Sequence, residues 1–86
     1  MYVYILRCNN GRYYIGSTPD IERRFQEHNI GKNKSTKHLR PVELIFYQKY
    51  PNLTIARKVE YWLKRQKDKS LIEQIIKEGR INKTFA

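Results

Sequence analysis

Five side chains in this sequence have the types and spacing of a site that acts on phosphate esters. Tyr4 and Tyr14 lie in two short apolar segments, Arg24 and His28 are one helical turn apart, and Glu60 lies in a later basic segment. Cleavage of a phosphodiester requires an activated water, a group that accepts its proton, and positive charge for the pentacoordinate phosphate. Phenol, guanidinium, imidazole and carboxylate together supply these needs, so the pattern predicts a hydrolytic site.

Each of these side chains also has an ordinary structural role. Tyrosines favour strands without any chemistry. Arg24 has the carboxylate of Asp20 four residues before it, and Glu60 has Lys64 four residues after it, so both suit helical ion pairs. His28 suits packing or hydrogen bonding equally well. The chemistry therefore depends on whether the fold brings all five together.

The turn between the two tyrosine segments decides whether their rings share a face. Residues 2–7 and 12–17 are predicted strands joined by an Asn-Gly turn, a strong hairpin signal. A two-residue turn would place the tyrosines on opposite faces of the sheet. A three-residue turn with a left-handed glycine pairs Tyr4 with Gly16 and places Tyr4 and Tyr14 on one face. We predict the three-residue turn, because a shared site requires it.

A helix is predicted to carry the arginine and the histidine. Thr18 is the expected N-cap and Pro19 the first helical residue, and Gly31 follows the end. The apolar stripe of this helix includes His28, and Arg24 borders that stripe.

The remaining segments complete a small α+β fold. Residues 31–40 are basic and are expected to form a mobile loop, and residues 41–50 are a predicted third strand. Residues 54–66 have the stripe of an amphipathic helix, and Ser70 has the spacing of a capping box that opens a last helix. The predicted order is β-β-α-β-α-α, a three-stranded antiparallel sheet flanked by three helices.

Size and charge narrow the class of partner. The 86 residues suit one small domain, which we assign to residues 1–79, with a frayed tail over 80–86. Lys and Arg outnumber Asp and Glu by 18 to 8, which gives a net charge of +10. Such a charge predicts a polyanionic partner, and nucleic acid comes first because binding releases its counterions. No basic amphipathic segment or long apolar run supports a membrane.

Cysteine and acid content exclude several kinds of site. Cys8 is the only cysteine, so no disulfide within the chain and no Cys-based zinc site can be built. The acids show no clustered pair typical of a two-metal site, whereas a one-metal site with a single carboxylate is compatible with them. The first residues lack the basic region of a signal sequence, so the cytoplasm is the default expectation.

Four segments of the sequence carry a resemblance to a known family. They are Val3-Tyr4-Ile5, Tyr14-Ile15-Gly16-Ser17-Thr18, Ile21-Glu22-Arg23-Arg24-Phe25 with Glu27-His28, and Ala56-Arg57-Lys58-Val59-Glu60. With these segments nearly the whole chain resembles the GIY-YIG nucleases, most closely their small stand-alone bacterial members. Tyr2 stands where the first family motif has glycine, a change common among the small members. The polar residue that often follows the family glutamate has no clear match, and the nearest candidates are Lys67 and Ser70.

The resemblance implies a metal-dependent endonuclease acting on nucleic acid, with DNA as the expected substrate and repair or recombination as the expected setting. By position, Tyr4 and Tyr14 match the two motif tyrosines, one of which acts as base or orients the water. Arg24 matches the arginine that steadies the phosphate, and His28 a histidine one turn later. Glu60 matches the ligand of a single Mg²⁺ or Mn²⁺.

Further residues are expected to contact the nucleic acid. Gly16 has no side chain, so a phosphate or water could approach the strand there. A protein partner is expected to supply targeting, because no specificity domain fits, and the oligomeric state stays open. The alternative is a nucleic-acid-binding module on the same fold with little or no catalysis. The basic residues expected at the interface are Lys32, Lys34, Lys37, Arg40, Arg57, Lys58 and Lys64.

Overall fold

The computed structural model describes residues 1–66 and 69–85, so the candidate Lys67 lies outside the described residues. The predicted element order is confirmed. The strands and helices are β1 (Tyr2–Arg7), β2 (Tyr13–Thr18), α1 (Ile21–Asn29), β3 (Glu43–Lys49), α2 (Leu53–Lys64) and α3 (Lys69–Glu78).

The three strands form one antiparallel sheet with β1 in the centre, in the order β2-β1-β3. The side chains of β1 alternate between two cores, as strand geometry requires. Val3 and Ile5 pack with buried residues of α2 and α3. Tyr4 and Leu6 lie on the other face, against residues of α1 and of the segment that follows it. The sheet is therefore covered on both faces, and β2 remains an edge strand.

The hairpin turn has the predicted three residues. The amide of Cys8 donates to the carbonyl of Arg12 at 2.8 Å, and Gly11 has a left-handed φ of 83°. Tyr4 pairs with Gly16 across the two strands. Both motif tyrosines therefore lie on the same face of the sheet, and the prediction of a shared face is confirmed.

The start of α1 differs from the prediction. Thr18 does not cap the helix, because it is still the last residue of β2 and its Oγ1 accepts from the Asp20 amide at 3.1 Å. Asp20 is the N-cap, and its carboxylate accepts from the amide of Arg23 at 3.1 Å. Pro19 therefore precedes the helix, which begins at Ile21.

The other predicted bounds differ by a few residues. β3 is shorter at both ends than predicted. α2 begins at Leu53, where the side chain of Asn52 accepts from the amide of Ile55 at 2.9 Å. α3 is described over Lys69–Glu78, so Ser70 lies within the helix instead of preceding it. None of the described helices combines the length and apolar character needed to cross a membrane.

The basic segment 31–40 is anchored, so the expectation of a mobile loop is wrong. Thr36 is completely buried, and a single 3-10 turn follows it at Lys37–Leu39. The guanidinium of Arg40 donates to the carbonyls of Lys37 at 3.0 Å and of Asn29 at 3.3 Å. The segment therefore closes over the Tyr4 face of the sheet.

The C-terminal segment, which the sequence predicts to be frayed, contacts the core through Ile81 and Phe85. Ile81 is 6% exposed, and its amide donates to Gln48 Oε1 at 2.8 Å. The ring of Phe85 packs edge-on against Trp62, with 5.6 Å between centroids. The sequence gives no sign of these contacts, because Ile81 and Phe85 are isolated among polar residues and form no periodic pattern.

The packing of the tail predicts a loss of stability on truncation of Ile81. We expect Ile81→Ala to lower the free energy of unfolding by about 2–4 kcal/mol, because it leaves a cavity in a small core. Urea denaturation measures the loss. Asn82→Ala, at the exposed neighbouring position, should stay within about 0.5 kcal/mol of the wild type. Equal stability of the two variants would show that the tail is frayed after all.

Candidate functional site

A buried hydrogen-bonded chain lies at the centre of the site. The hydroxyl of Tyr4, a residue only 2% exposed, lies 2.9 Å from His28 Nε2. His28 Nδ1 lies 2.8 Å from the hydroxyl oxygen of Thr36. His28 and Thr36 have no exposed surface. The chain links β1, α1 and the anchored basic segment, so these three parts of the fold position one another.

The direction of the protons in this chain follows from the chemistry of the groups. Arg24 Nε donates to the Tyr4 hydroxyl at 3.4 Å, and a guanidinium cannot accept. Within the described structure, His28 Nε2 is then the acceptor for the Tyr4 proton. His28 therefore carries its own proton on Nδ1, and this N–H donates a hydrogen bond to the hydroxyl oxygen of Thr36. Every buried side-chain polar atom of the described residues has a partner.

The two titratable members of the chain are both neutral at physiological pH. Burial, together with the positive charge of Arg24, lowers the pKa of His28 from 6.5 to about 4, although the charge of Glu27 opposes that fall. Burial raises the pKa of Tyr4 above its usual value of 10.0, although the hydrogen bond from Arg24 opposes that rise. Neutral His28 and neutral Tyr4 leave Arg24 as the cation of this cluster.

Arg24 extends from α1 to the edge of the cluster. Its Nη1 forms an ion pair with Glu27 at 3.2 Å, and about a third of its side chain is exposed. The hydrogen bond to the Tyr4 hydroxyl raises the pKa of Arg24, so its charge is permanent. Arg24 therefore presents a fixed positive charge to solvent next to the buried phenol.

Tyr14 is the more accessible of the two motif tyrosines. Its ring lies 5.0 Å from the ring of His28 and 6.3 Å from that of Tyr4, measured between centroids. Its hydroxyl accepts a long hydrogen bond of 3.4 Å from the side chain of Asn33. Tyr14 is only partly buried, so it meets solvent where Tyr4 does not.

Glu60 reaches the site from the opposite face of the sheet. Val59 and Leu63 on either side of it are buried in the core formed with α2. Its Oε1 accepts from the hydroxyl of Ser17 on β2 at 2.7 Å, and its Oε2 pairs with Lys64 at 2.6 Å. The charge of Glu60 is the smallest of the influences that raise the pKa of Tyr4. The carboxylate thus acts on the tyrosine cluster across the free edge of β2.

The role expected of Gly16 needs correction. The space beside its backbone is filled by the Tyr4 ring, because a Cβ placed on Gly16 would lie 2.5 Å from the Tyr4 hydroxyl oxygen. Gly16 is also buried. The glycine therefore admits the phenol of Tyr4 beneath the strand, where the sequence had suggested an approaching phosphate or water.

The pattern of this site agrees with a comparison against known families. The family model of the GIY-YIG catalytic domain matches residues 1–73. The chain belongs to the GIY-YIG family. That membership indicates the nuclease superfamily and a nucleic-acid substrate, as the resemblance had implied.

The GIY-YIG chain is also similar to small bacterial proteins along most of their length. A UPF0213 protein of Listeria welshimeri is 41% identical over 78 residues, which are 85% of this chain and 87% of that protein. A UPF0213 protein of Staphylococcus saprophyticus is 40% identical over 77 residues, or 94% of its length. The chain is also similar to a UPF0213 protein from Bacillus halodurans with a solution NMR structure, and the two sequences are 33% identical. That structure covers 91% of this chain, with a TM-score of 0.57.

All of the basic residues expected at the interface are exposed in this GIY-YIG domain. Arg40 also donates to backbone carbonyls, and Lys64 also pairs with Glu60. The remaining ones lie on the basic segment and on α2, and they are Lys32, Lys34, Lys37, Arg57 and Lys58.

Sequence reasoning missed Thr36 and Ser17 as members of the site. Thr36 lies in a run of polar and basic residues that gives no sign of burial. Ser17 lies next to Gly16, and its alternation with Tyr14 along β2 would have placed it on the side from which Glu60 approaches. Asn33, which donates to Tyr14, was likewise hidden in the basic segment.

The contact between Gly16 and Tyr4 predicts a steric coupling. We expect Gly16→Ala to cost about 1–3 kcal/mol of unfolding free energy, because the new methyl overlaps the phenol of Tyr4. Tyr4→Leu withdraws the overlapping atoms. In a double-mutant cycle the two losses should therefore sum to more than the loss in the double variant. Strictly additive losses would mean that the two residues do not touch.

The buried His28 predicts destabilisation by acid. Its pKa is about 4 in the folded protein and about 6.5 when unfolded, so the unfolded state binds more protons between these values. The contribution of neutral His28 to the free energy of unfolding is complete above pH 6.5. It falls by about 3 kcal/mol in all as the pH drops towards 4. Urea denaturation between pH 7 and 4.5 measures the slope. His28→Gln should flatten it, whereas His38→Gln, at an exposed position, should not. Parallel slopes for all three proteins would contradict the buried neutral imidazole.

Proposed function

We propose that this protein is a metal-dependent endonuclease that hydrolyses phosphodiester bonds of nucleic acid, with DNA as its substrate, in repair or recombination. The observation that carries the proposal is the convergence of the site at the free edge of β2. Tyr4, Tyr14, Arg24 and His28 meet on one face, and Glu60 approaches the same edge from the other. We expect a phosphate bound at that edge to contact both groups.

The residues around Glu60 fit one divalent cation, Mg²⁺ or Mn²⁺. The described residues contain no group of three or more His, Cys, Asp or Glu that could hold a metal, so a multi-carboxylate cage is absent from them. Magnesium is commonly held by one or two carboxylates, with water and substrate phosphate completing its shell. Glu60 supplies the carboxylate, the Ser17 hydroxyl is a neighbouring oxygen, and Lys64 must release Oε2. When bound, the cation supplies positive charge to the phosphate and activates water.

Arg24 supplies the charge on the other side of the scissile phosphate. Its guanidinium is held by Tyr4 and Glu27 while part of it remains exposed. A permanently charged, planar donor suits two phosphate oxygens at once. Because burial keeps His28 neutral, Arg24 is the cation of the hydrogen-bonded cluster on this face.

The two tyrosines divide the work by their exposure. Tyr14 is reachable from solvent, so it is the phenol that contacts the attacking water and either orients it or takes its proton. Tyr4 stays protonated, because burial raises its pKa, and its hydroxyl donates a hydrogen bond to His28 Nε2. Tyr4 is therefore a positioning residue that holds Arg24 and His28 at fixed distances behind Tyr14.

A second candidate function is nucleic-acid binding without cleavage. Both oxygens of Glu60 already have partners, Ser17 at 2.7 Å and Lys64 at 2.6 Å, and the ammonium group of Lys64 takes a position that suits a cation. The exposed Lys and Arg side chains of the basic segment and α2 suit the binding of phosphates and require no catalysis. A protein partner that releases Lys64 and supplies targeting would reconcile the two candidates.

The nuclease proposal is tested with branched, nicked and single-stranded DNA in the presence of Mg²⁺ or Mn²⁺. We expect Glu60→Gln, Arg24→Gln and Tyr14→Phe each to slow cleavage by about 100-fold or more, because each removes a charge or proton-transfer group from the site. Rates are measured by gel under single-turnover conditions, with EDTA as the metal-free reference.

Two matched variants control for changes of charge alone. Arg23→Gln removes an exposed charge from the same helix, and Glu73→Gln removes one from α3, so both should cleave like the wild type. Cleavage that survives in all three site variants would identify a contaminating nuclease and refute the proposal. Salt-sensitive binding without cleavage in either metal would favour the binding module.

A further inference from the structure

A cleft opens along the free edge of β2, next to the site. It has a volume of about 420 Å³ and lies between β2, the end of α2 and the start of α3. Its floor is formed by three buried apolar side chains, Ile15, Leu63 and Ile72. This volume is in the range of pockets that enclose a small organic molecule. We call it the β2-edge cleft.

The mouth of the β2-edge cleft combines aromatic rings with positive charge. Tyr13 and Tyr14 both line it. The ammonium of Lys69 lies 5.5 Å from the centre of the Tyr13 ring and donates to the carbonyl of Gly11 at 3.3 Å. Arg12 and Lys64 add two more cations, and the described lining residues include no carboxylate. A ligand that combines a flat ring with a phosphate complements this mouth.

The edge of β2 adds main-chain hydrogen-bonding groups to the cleft. The bond from the Cys8 amide to the Arg12 carbonyl shows that the even-numbered residues of this strand direct their backbone towards β1. In an antiparallel pair the alternate residues face away, so the backbone groups of Tyr13 and Ile15 face the open edge. Those donors and acceptors suit the polar edge of a planar base.

The cleft is continuous with the proposed nuclease site through two residues. Tyr14 lines the cleft and also contacts the ring of His28. Lys64 lines the cleft and also pairs with Glu60. A nucleic-acid strand with one phosphate at Glu60 therefore places a neighbouring nucleotide at the cleft mouth.

We propose that the β2-edge cleft binds an unpaired nucleobase of the strand that is cut. The base stacks at Tyr13 above the apolar floor, and Arg12 and Lys69 contact the adjoining phosphates. A base inside a duplex is stacked on both of its faces and paired along its edge, so it cannot enter. The proposal rests on the proposed nuclease function and refines its substrate class to nucleic acid with an unpaired nucleotide beside the cut.

The test measures binding without cleavage. Fluorescence anisotropy in EDTA compares a labelled thymidine hexanucleotide with a hexamer of the same phosphates whose sites are abasic. We expect the wild type to bind the base-bearing hexamer about tenfold more tightly, in line with base–aromatic stacking. Tyr13→Leu should remove that preference while keeping an apolar side chain. The matched control is Tyr47→Leu on the opposite edge strand, where the exposed tyrosine is remote from the cleft.

A measurement on the wild type guards against a variant that fails to fold. Thymidine 5′-monophosphate should shift the backbone amide signals of Tyr13, Ile15 and Leu63 in NMR spectra, whereas deoxyribose 5-phosphate should not. An extended peptide paired with the β2 edge is the competing occupant. Shifts caused by an alternating Thr-Val hexapeptide but not by the nucleotide would overturn the proposal.

The outcomes separate this proposal from the nuclease proposal. Equal affinity for the two hexamers, or a preference that survives Tyr13→Leu, overturns the nucleobase cleft even if the protein cleaves DNA. A base preference that depends on Tyr13 supports the cleft even if no metal produces cleavage, and in that case the nuclease proposal fails on its own.

Discussion

The hydroxyl group of Tyr4 lies in a buried position where it needs hydrogen-bond partners, and that need organises much of this small fold. A buried polar group left without a partner costs about 1–3 kcal/mol, a large share of the stability of a domain this size. His28 and Arg24 meet the need, and Thr36 completes the chain behind His28. Gly16 leaves room for the phenol. The hydroxyl thereby ties together β1, β2, α1 and the basic segment.

The same arrangement separates the charges of the site. Burial keeps His28 and Tyr4 neutral, so Arg24 is the cation of the hydrogen-bonded cluster around Tyr4. The anion, Glu60, lies on the side of α2 and is balanced by Lys64. Positive charge for a phosphate and a carboxylate for a metal thus stand on opposite sides of one edge strand. Neither is buried deeply enough to carry a large desolvation cost, which suits groups that must exchange partners when substrate arrives.

Much of this geometry could be predicted from the sequence, and the parts that could not have physical reasons. The Asn-Gly turn left two loop lengths open, and the three-residue turn was predicted because strand alternation then puts Tyr4 and Tyr14 on one face, as observed. Tertiary hydrogen bonds leave no local pattern in the sequence, so the burial of Thr36 could not be predicted from it. The cap of α1 was misassigned because Thr18 and Asp20 are both good N-cap residues. The strand ladder decided between them, since Thr18 was still paired in β2.

The free edge of β2 explains why the two halves of the site can meet at all. If β2 lay inside the sheet, another strand would cover its outer edge and keep Tyr14 on one face apart from Glu60 on the other. Because β2 is an edge strand, side chains from both faces can meet around it. Exposed edges invite pairing with another strand, and natural proteins guard them with charged side chains. Arg12, Lys64 and Lys69 lie along this edge and oppose such pairing. Because the same cations attract phosphate, the protection of the edge and the recruitment of a polyanion come from one set of residues.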